Sequence, residues 1–336
     1  MDAFTKKTLK TSRGYTYTYY TSAGDKSLPA LVFQHGWPDH AAMWADVAGP
    51  LRSLNHPILI PDMLGYDGTD KPTDPAAYRW DGMTTDIVDL LNAEQHDKVI
   101  SIGHDWGSAA ACRLAHYYPD RVVGLVNLNV PYTPPTRQQF DLEKMNQLTQ
   151  QIFGYQFFAY WQLFTAEDGV EVIEKNLERM YHAMHGQADT MKHLFCTPGA
   201  LREYLTNTTT PPSPLRPYAH SPTLESTFLS QFTTAGMTGP LNWYKATTLN
   251  HQFASDSQLP QHVDKITVPV LYIGTTEDPV CRPESMVPSI RAGLLPRLEQ
   301  AQMVQAAHWV TYEKPGEVVG RIEGWVRKHW HGGEKE

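Results

Sequence analysis

The segment 98–119 constrains the fold of this chain more than any other stretch. Its β-branched first part runs into Gly103 and predicts a buried strand, and its alanine-rich part after Gly107 predicts a helix. Small residues at both positions allow a sharp turn between the two elements, which is the geometry of a nucleophile elbow. The turn presents Asp105. An acidic residue at this place is more often a helix cap, so the remaining sequence decides whether its role is chemical.

The rest of the chain alternates between predicted strands and helices. Apolar or alternating runs predict strands at 14–20, 30–34, 57–62, 122–130 and 268–274, and helical patterns fall at 43–54, 84–91 and 318–330. This alternation is typical of an α/β protein whose mostly parallel sheet carries helices on both faces. Because ligands of such sheets bind at the carboxyl ends of the strands, we expect His35, Asp62 and Asp105 at a common edge.

A long segment between these elements has a different character. From about 132 to 258 there is no comparable strand signal, and helical patterns at 142–165 and 169–185 stand among aromatic residues and proline-rich spacers. We interpret this segment as an inserted helical cap. The predicted organisation is a first core part at 1–131, a cap at 132–258 and a second core part at 259–336.

Composition excludes several classes of function. The net charge is -8 and no basic run is long enough to follow a phosphate backbone, which argues against nucleic-acid binding. No stretch approaches the roughly 20 apolar residues that span a bilayer, and the amino terminus lacks an apolar leader. Three scattered cysteines predict neither a disulfide framework nor a zinc site. We therefore expect a soluble, cytoplasmic protein that requires no metal or cofactor, and a homodimer is left open.

Further polar signals fall at the same predicted edge of the sheet. The segment 35–38, His-Gly-Trp-Pro, can place a free backbone N–H where an oxyanion would need it. Glu277 and Asp278 follow the strand at 268–274, and His308 precedes the last helix. The chain order is thus Asp105, an acid and a histidine, which is the order of nucleophile, acid and base in α/β hydrolases.

Over nearly its whole length the sequence resembles the α/β-hydrolase-fold epoxide hydrolases of the fungal or soluble type. The resemblance is carried by the segments 35–38, 65–70, 103–107 and 307–309, and by two segments of the predicted cap, Phe-Gly-Tyr-Gln at 153–156 and Gly-Pro-Leu-Asn-Trp-Tyr-Lys at 239–245. It implies the α/β-hydrolase fold with a helical cap.

The resemblance also implies roles for individual residues. Asp105 would be the nucleophile and His308 the base that activates water. Asp278 is preferred to Glu277 as the acid because the motif aligns on the residue before the turn proline, Pro279.

The remaining predicted site residues lie in the cap and around the elbow. Tyr155 and Tyr244 are predicted to donate protons to the oxygen of the epoxide ring as it opens, because a phenol with an ordinary pKa near 10 keeps its proton at neutral pH. The other predictions are backbone N–H groups of Trp37 and Trp106 for the oxyanion hole, and His35, Pro38 and Trp161 for substrate contact. Aromatic residues at 157–164 favour a small apolar substrate.

The implied reaction is the opening of an epoxide to a vicinal diol through an aspartyl ester. A haloalkane dehalogenase is the nearest alternative, since it uses the same nucleophile, base and acid, with Trp106 helping to hold the halide. A biosynthetic enzyme acting on one epoxidised natural product and a non-catalytic binding protein of the same fold also stay open.

Overall fold

A computed structural model describes residues 1–332 of the protein. Within these residues the sheet has eight strands in the spatial order β1-β2-β4-β3-β5-β6-β7-β8. The strands are β1 (Thr5–Lys10), β2 (Thr16–Ser22), β3 (Ala30–Gln34), β4 (Ile58–Pro61), β5 (Val99–His104), β6 (Val122–Leu128), β7 (Val270–Ile273) and β8 (Leu298–Gln300). From β4 to β8 all neighbouring strands are parallel, which confirms the predicted mostly parallel sheet.

The antiparallel part of the sheet lies at one edge. β1 pairs with β2, and β2 pairs with β4, both in antiparallel register. The strand β1 was not predicted, because five of its six side chains are exposed and it has no alternating apolar pattern. It is an edge strand held by its backbone hydrogen bonds to β2.

The centre of the sheet is covered by helices on both faces. Side chains of β3 are all buried and alternate between two cores, so that Leu31 belongs to one core and Val32 to the other. The α-helices outside the segment between β6 and β7 are α1 (Ala45–Leu51), α2 (Trp80–Ala93), α3 (Trp106–Tyr117), α13 (Val287–Arg291), α14 (Val310–Glu313) and α15 (Pro315–Trp330). α1 and α15 contribute Val47 and Ile322 to the core on one face, and α2 and α3 contribute Leu90 and Leu114 to the core on the other.

Nine helices lie between β6 and β7 in the part of the chain that the structure describes. They are α4 (Leu142–Phe153), α5 (Trp161–Phe164), α6 (Gly169–Glu174), α7 (Leu177–Met184), α8 (Thr190–Phe195), α9 (Ala200–Thr206), α10 (Pro222–Ala235), α11 (Thr238–Thr248) and α12 (His251–Asp256). The helical pattern predicted at 142–165 holds two helices, α4 and α5, because Gly154 takes φ +83° and ends α4. The predicted domain limits near 131 and 258 stay predictions.

Candidate active site

Asp105 occupies the turn between β5 and α3. Its backbone has φ +54° and ψ -128°, a strained conformation for a side-chain-bearing residue that costs on the order of 1–3 kcal/mol. The turn packs tightly against the end of β3, because a Cβ atom added at Gly107 would lie 2.0 Å from the carbonyl oxygen of Gln34. Glycine at this position therefore lets α3 approach β3 and directs the Asp105 carboxylate away from the sheet.

One oxygen of the Asp105 carboxylate is held by the backbone. The N–H of Trp37 donates to Asp105 Oδ1 over 2.8 Å. This approach requires Gly36, where a Cβ would lie 2.3 Å from Asp105 Oδ1 and 2.7 Å from the amide nitrogen of Trp106. Trp106 is the first residue of α3, so its N–H belongs to the electropositive end of that helix. The assignment of Trp37 and Trp106 to an oxyanion hole stays a proposal, which this geometry supports.

His308 lies between two carboxylates. Its Nε2 is 3.4 Å from Asp105 Oδ2, and its Nδ1 is 2.7 Å from Asp278 Oδ2. Burial alone would lower the pKa of His308, but the neighbouring acidic groups, with Asp278 first, outweigh it and raise that pKa well above its usual value. The two carboxylates therefore favour the protonated form of this imidazole, whose charge they would balance on both sides.

Asp278 is oriented by several donors. Its Oδ1 accepts the N–H groups of Val280 and Cys281, both at 3.0 Å, and its Oδ2 accepts Asn129 Nδ2 at 2.9 Å. Burial alone would raise the pKa of Asp278, but His308 and these hydrogen bonds hold it well below its usual range. Asp278 thus stays a carboxylate and fixes which nitrogen of His308 faces Asp105.

The neighbouring acid, Glu277, points elsewhere. Its carboxylate pairs with Arg216 at 2.8 Å, and the Glu277 side chain is 41% exposed. The structure therefore brings Asp278, and not Glu277, into contact with His308.

We expect Asp278→Asn to slow turnover by about 10³- to 10⁴-fold, because an amide cannot stabilise the imidazolium or select its tautomer. The loss should fall mainly on the step in which His308 activates water, measured by single-turnover kinetics. Glu277→Gln is the matched control and should change the rate less than about 3-fold, since a partly exposed ion pair contributes about 0–1 kcal/mol. Equal losses in both variants would contradict this assignment.

The raised pKa of His308 also predicts a pH-dependent contribution to stability. Folding favours the protonated form, so this contribution is complete below about pH 6.5 and is lost as the pH rises through the higher native pKa. The Asp278 contribution is already present above about pH 5, because its pKa is lowered in the folded state. We expect the difference in melting temperature between the wild type and His308→Gln to shrink from about pH 6 to about pH 9. A difference that grows over this range would contradict the pairing.

Two tyrosines of the helical segment lie near Asp105. Tyr244 of α11 is buried, and its ring is 5.3 Å from that of Trp106. Tyr160 precedes α5, and its ring is 5.9 Å from that of Tyr244. Burial raises the pKa of both phenols, with Asp105 among the further causes in each case, so both keep their protons at neutral pH.

The contacts of Tyr155 do not favour its predicted role as a proton donor, which stays a prediction. Its hydroxyl donates to the carbonyl oxygen of Pro279 over 2.9 Å, and its ring packs against Phe157 and under the ammonium of Lys192. The physical reason is the end of α4 at Gly154, which turns the following residue towards the loop after Asp278. The geometry favours Tyr160 as the first lid tyrosine, meaning the first of the two tyrosines of the helical segment that would donate to the ring oxygen, and the sequence suggested Tyr160 only as apolar lining.

The contacts of His35 likewise do not favour its predicted contact with substrate, which stays a prediction. The ring is fully buried, its Nδ1 lies 3.0 Å from the carbonyl oxygen of Gly36, and its Nε2 accepts the N–H of Met63 at 2.8 Å. Burial lowers the pKa of His35 to about 3, so the ring is neutral and both nitrogens are used by the backbone. His35 supports the loop that carries Trp37.

The other two predicted contact residues differ in position. The Trp161 ring lies 5.6 Å from Trp106 and 5.1 Å from Tyr244, among the aromatic side chains over the elbow. Pro38 lines a separate cavity together with Asp39 and Trp309. Substrate contact stays a prediction for both, and the geometry favours Trp161.

Sequence reasoning missed several residues that surround His308. The Sγ of Cys281 is 3.7 Å from His308 Nδ1, and the Nε2 of His104 is 2.8 Å from the carbonyl oxygen of His308. The adjacency of His104 to Asp105 was the only available signal.

Two trios of side chains lie close enough to share a cation, namely Asp105, Cys281 and His308, and His40, Asp62 and Asp67.

Comparisons with known proteins agree with this architecture. The family described as the alpha/beta hydrolase fold matches residues 29–315. Epoxide hydrolase A of Mycobacterium tuberculosis is 28% identical over 315 residues, which cover 89% of this chain and 91% of that protein. Bifunctional epoxide hydrolase 2 of Rattus norvegicus is 27% identical over 305 residues, covering 89% of this chain but 52% of the rat protein, so the chain spans about half the length of that relative.

A solved structure matches as well. The structure titled epoxide hydrolase from an endophytic Streptomyces superposes with a TM-score of 0.80 over 97% of this chain and 96% of that one, at 23% identity. At this identity the likeness concerns the fold. The predicted fold is confirmed, and the chain belongs to the α/β hydrolase fold family.

Proposed function

We propose that this protein is an epoxide hydrolase that converts an epoxide to a vicinal diol through a covalent ester on Asp105. The observation that carries the proposal is an elbow carboxylate 3.4 Å from a histidine, with the ring of Tyr244 packed 5.3 Å from that of the next residue, Trp106, and the ring of Tyr160 beside it. The relatives that are named epoxide hydrolases support it.

In the first step Asp105 Oδ2 attacks a ring carbon, because Oδ1 is already held by the N–H of Trp37. A carbon–oxygen bond to the enzyme forms while the carbon–oxygen bond of the ring breaks, and the departing oxygen takes up a proton from the hydroxyl of Tyr160 or Tyr244. Tyr160 and Tyr244 stabilise this developing alkoxide by hydrogen bonds that strengthen as its charge grows. The product is an ester between Asp105 and the hydroxyalkyl group.

In the second step His308 Nε2 removes a proton from water, and the resulting hydroxide attacks the carbonyl carbon of the Asp105 ester. The oxyanion forms on the oxygen that faces the Trp37 and Trp106 N–H groups. Its collapse releases the diol and leaves one water-derived oxygen in the Asp105 carboxylate.

The charge of Asp105 links the two steps. In the free enzyme Asp105 is one of the acids that raise the pKa of His308. Esterification removes the negative charge of Asp105, which lowers the pKa of His308. The imidazolium then gives up its proton, which through water restores the tyrosine that protonated the ring oxygen, and the neutral base is left available when water must be activated. His308 thus becomes a base only after the nucleophile has reacted.

Aromatic side chains over the elbow favour an apolar substrate. The ring of Trp37 lies 4.7 Å from Phe164 and 6.0 Å from Tyr244, and Trp161 packs against Trp106. Such an apolar lining limits the access of water to the ester, and it offers few polar contacts to a substrate.

Dehalogenation is the second candidate, and one observation favours it. The indole N–H groups of Trp37 and Trp161 are buried and have no hydrogen-bond partner within residues 1–332, so they are available to hold an anion. A panel of small epoxides and haloalkanes should separate the two activities, with diol and halide measured in parallel. We expect diol formation to dominate, and halide release without diol formation would overturn the proposal.

The expected surroundings of the enzyme belong to the same proposal. The partners are the epoxide and water, and neither a nucleic acid nor a cofactor takes part. Within residues 1–332, none of the helices has the length and apolar character needed to span a bilayer. A cytoplasmic location and a homodimer stay predictions.

A further inference from the structure

A second group of side chains lies outside the catalytic cluster and is used by none of the steps above. It comprises His40, which lies in the loop after β3, and Asp62 and Asp67, which follow β4. We propose that His40, Asp62 and Asp67 bind one divalent transition-metal ion, with zinc as the preferred ion.

The distances suit a shared cation. The ligand atoms of the three side chains all lie within 4.8 Å of one another. Ligands about 2.1 Å from one tetrahedral ion are about 3.4 Å apart, so binding requires a contraction that side-chain rotation can supply. Because His40 and Asp67 are not fully buried, their side chains can make that adjustment and water can complete the coordination.

The strongest observation is the carboxylate of Asp62. Its side chain is fully buried, and Oδ1 accepts the N–H of Ala41 over 2.8 Å. The other oxygen, Oδ2, is buried and has no hydrogen-bond partner within residues 1–332. An unpaired buried carboxylate oxygen is costly unless a proton or a cation satisfies it.

The nearest ammonium does not pair with these acids. Lys71 Nζ donates to the backbone carbonyl oxygens of Asp67 and Thr69. Within the described part of the chain, neither Asp62 nor Asp67 forms a salt bridge. The imidazole of His40 can supply the nitrogen ligand that transition metals commonly take from proteins. The two carboxylates and one imidazole are therefore free to act together.

The ligand types favour zinc over magnesium or calcium. One imidazole nitrogen and two carboxylate oxygens form a set that zinc and its neighbours accept, whereas magnesium and calcium prefer oxygen alone. This inference departs from the expectation of no metal, which considered only the three cysteines. The ion would join the loop after β3, which carries Trp37, to the loop after β4, and so would act on stability rather than on the chemical steps.

The test uses the full chain and zinc chloride. After equilibrium dialysis and elemental analysis, we expect His40→Ala and Asp67→Asn each to bind one zinc fewer per chain than the wild type. Asparagine tolerates the positive φ of Asp67, and Asp46→Asn is the matched control because Asp46 is an exposed acid on the neighbouring helix α1. At about 100-fold excess over the dissociation constant, zinc should raise the melting temperature of the wild type by about 4 °C, and of neither site variant.

The catalytic trio is the competing zinc site. Cys281→Ala removes a ligand from that trio and leaves the proposed site intact. Loss of one zinc in His40→Ala and Asp67→Asn, but retention in Asp46→Asn and Cys281→Ala, supports the inference. Unchanged zinc in both site variants, zinc lost only in Cys281→Ala, or no zinc bound by the wild type would overturn it.

Discussion

Replacing both Tyr160 and Tyr244 by phenylalanine is expected to slow epoxide opening by about 10⁴- to 10⁶-fold. Each hydroxyl donates to the alkoxide only as its charge develops, and such a donor contributes on the order of 2.7–4 kcal/mol. The single variants should each lose about 10²- to 10³-fold. The measurement is the rate of ester formation in a single turnover, with the melting temperature as a check that the fold is kept.

Tyr155→Phe is the matched control for this experiment. The Tyr155 hydroxyl donates to the carbonyl oxygen of Pro279, so its removal should change the opening rate less than about 10-fold, as for one ordinary hydrogen bond. If Tyr155→Phe were as slow as Tyr160→Phe, the reassignment of the first lid tyrosine would be wrong. Full activity of the double variant would remove the reason for preferring epoxides to haloalkanes.

His308→Gln is expected to open the epoxide once and then stop. The variant keeps the Asp105 carboxylate and the lid tyrosines but has no base for water, so hydrolysis of the ester should slow by about 10⁵-fold or more. Intact-protein mass spectrometry should show a species equal to enzyme plus epoxide, and peptide mapping should place the adduct on Asp105.

Asp105→Asn is the control, because an amide is a poor nucleophile and should form no adduct. An adduct in Asp105→Asn, or an adduct of His308→Gln that maps to another residue such as Cys281, would contradict the assigned nucleophile. Cys281 is the relevant competitor, since its sulfur lies 3.7 Å from the His308 ring.

The elbow and the order of the catalytic residues could be predicted because each depends on local sequence. Gly103 and Gly107 leave the space for the tight turn that carries Asp105. Parallel strands bring the residues that follow each strand to one edge of the sheet. Asp278, which the alignment on Pro279 favoured, is the acid that the structure places beside His308.

The lid tyrosine could not be predicted in the same way. Tyr155 and Tyr160 are five residues apart in one aromatic stretch, and which of them faces Asp105 depends on where α4 ends at Gly154. Gly154 is a local signal for that end, since it takes φ +83°, but the side that each tyrosine then faces depends on tertiary packing, which composition and periodicity do not record. The burial of His35 could not be predicted either. A histidine before a glycine gives the same sequence signal whether its ring nitrogens contact substrate or bind the backbone N–H of Met63.

The covalent role of Asp105 is the central claim, and a single turnover in oxygen-18 water tests it most directly. With the enzyme in large excess over the epoxide, the oxygen added to the diol comes from the Asp105 carboxylate, and the water oxygen enters that carboxylate in the second step. The account therefore predicts unlabelled diol and labelled Asp105. Labelled diol with no label in the protein would mean that water attacks the epoxide directly, and that Asp105 acts only as a general base.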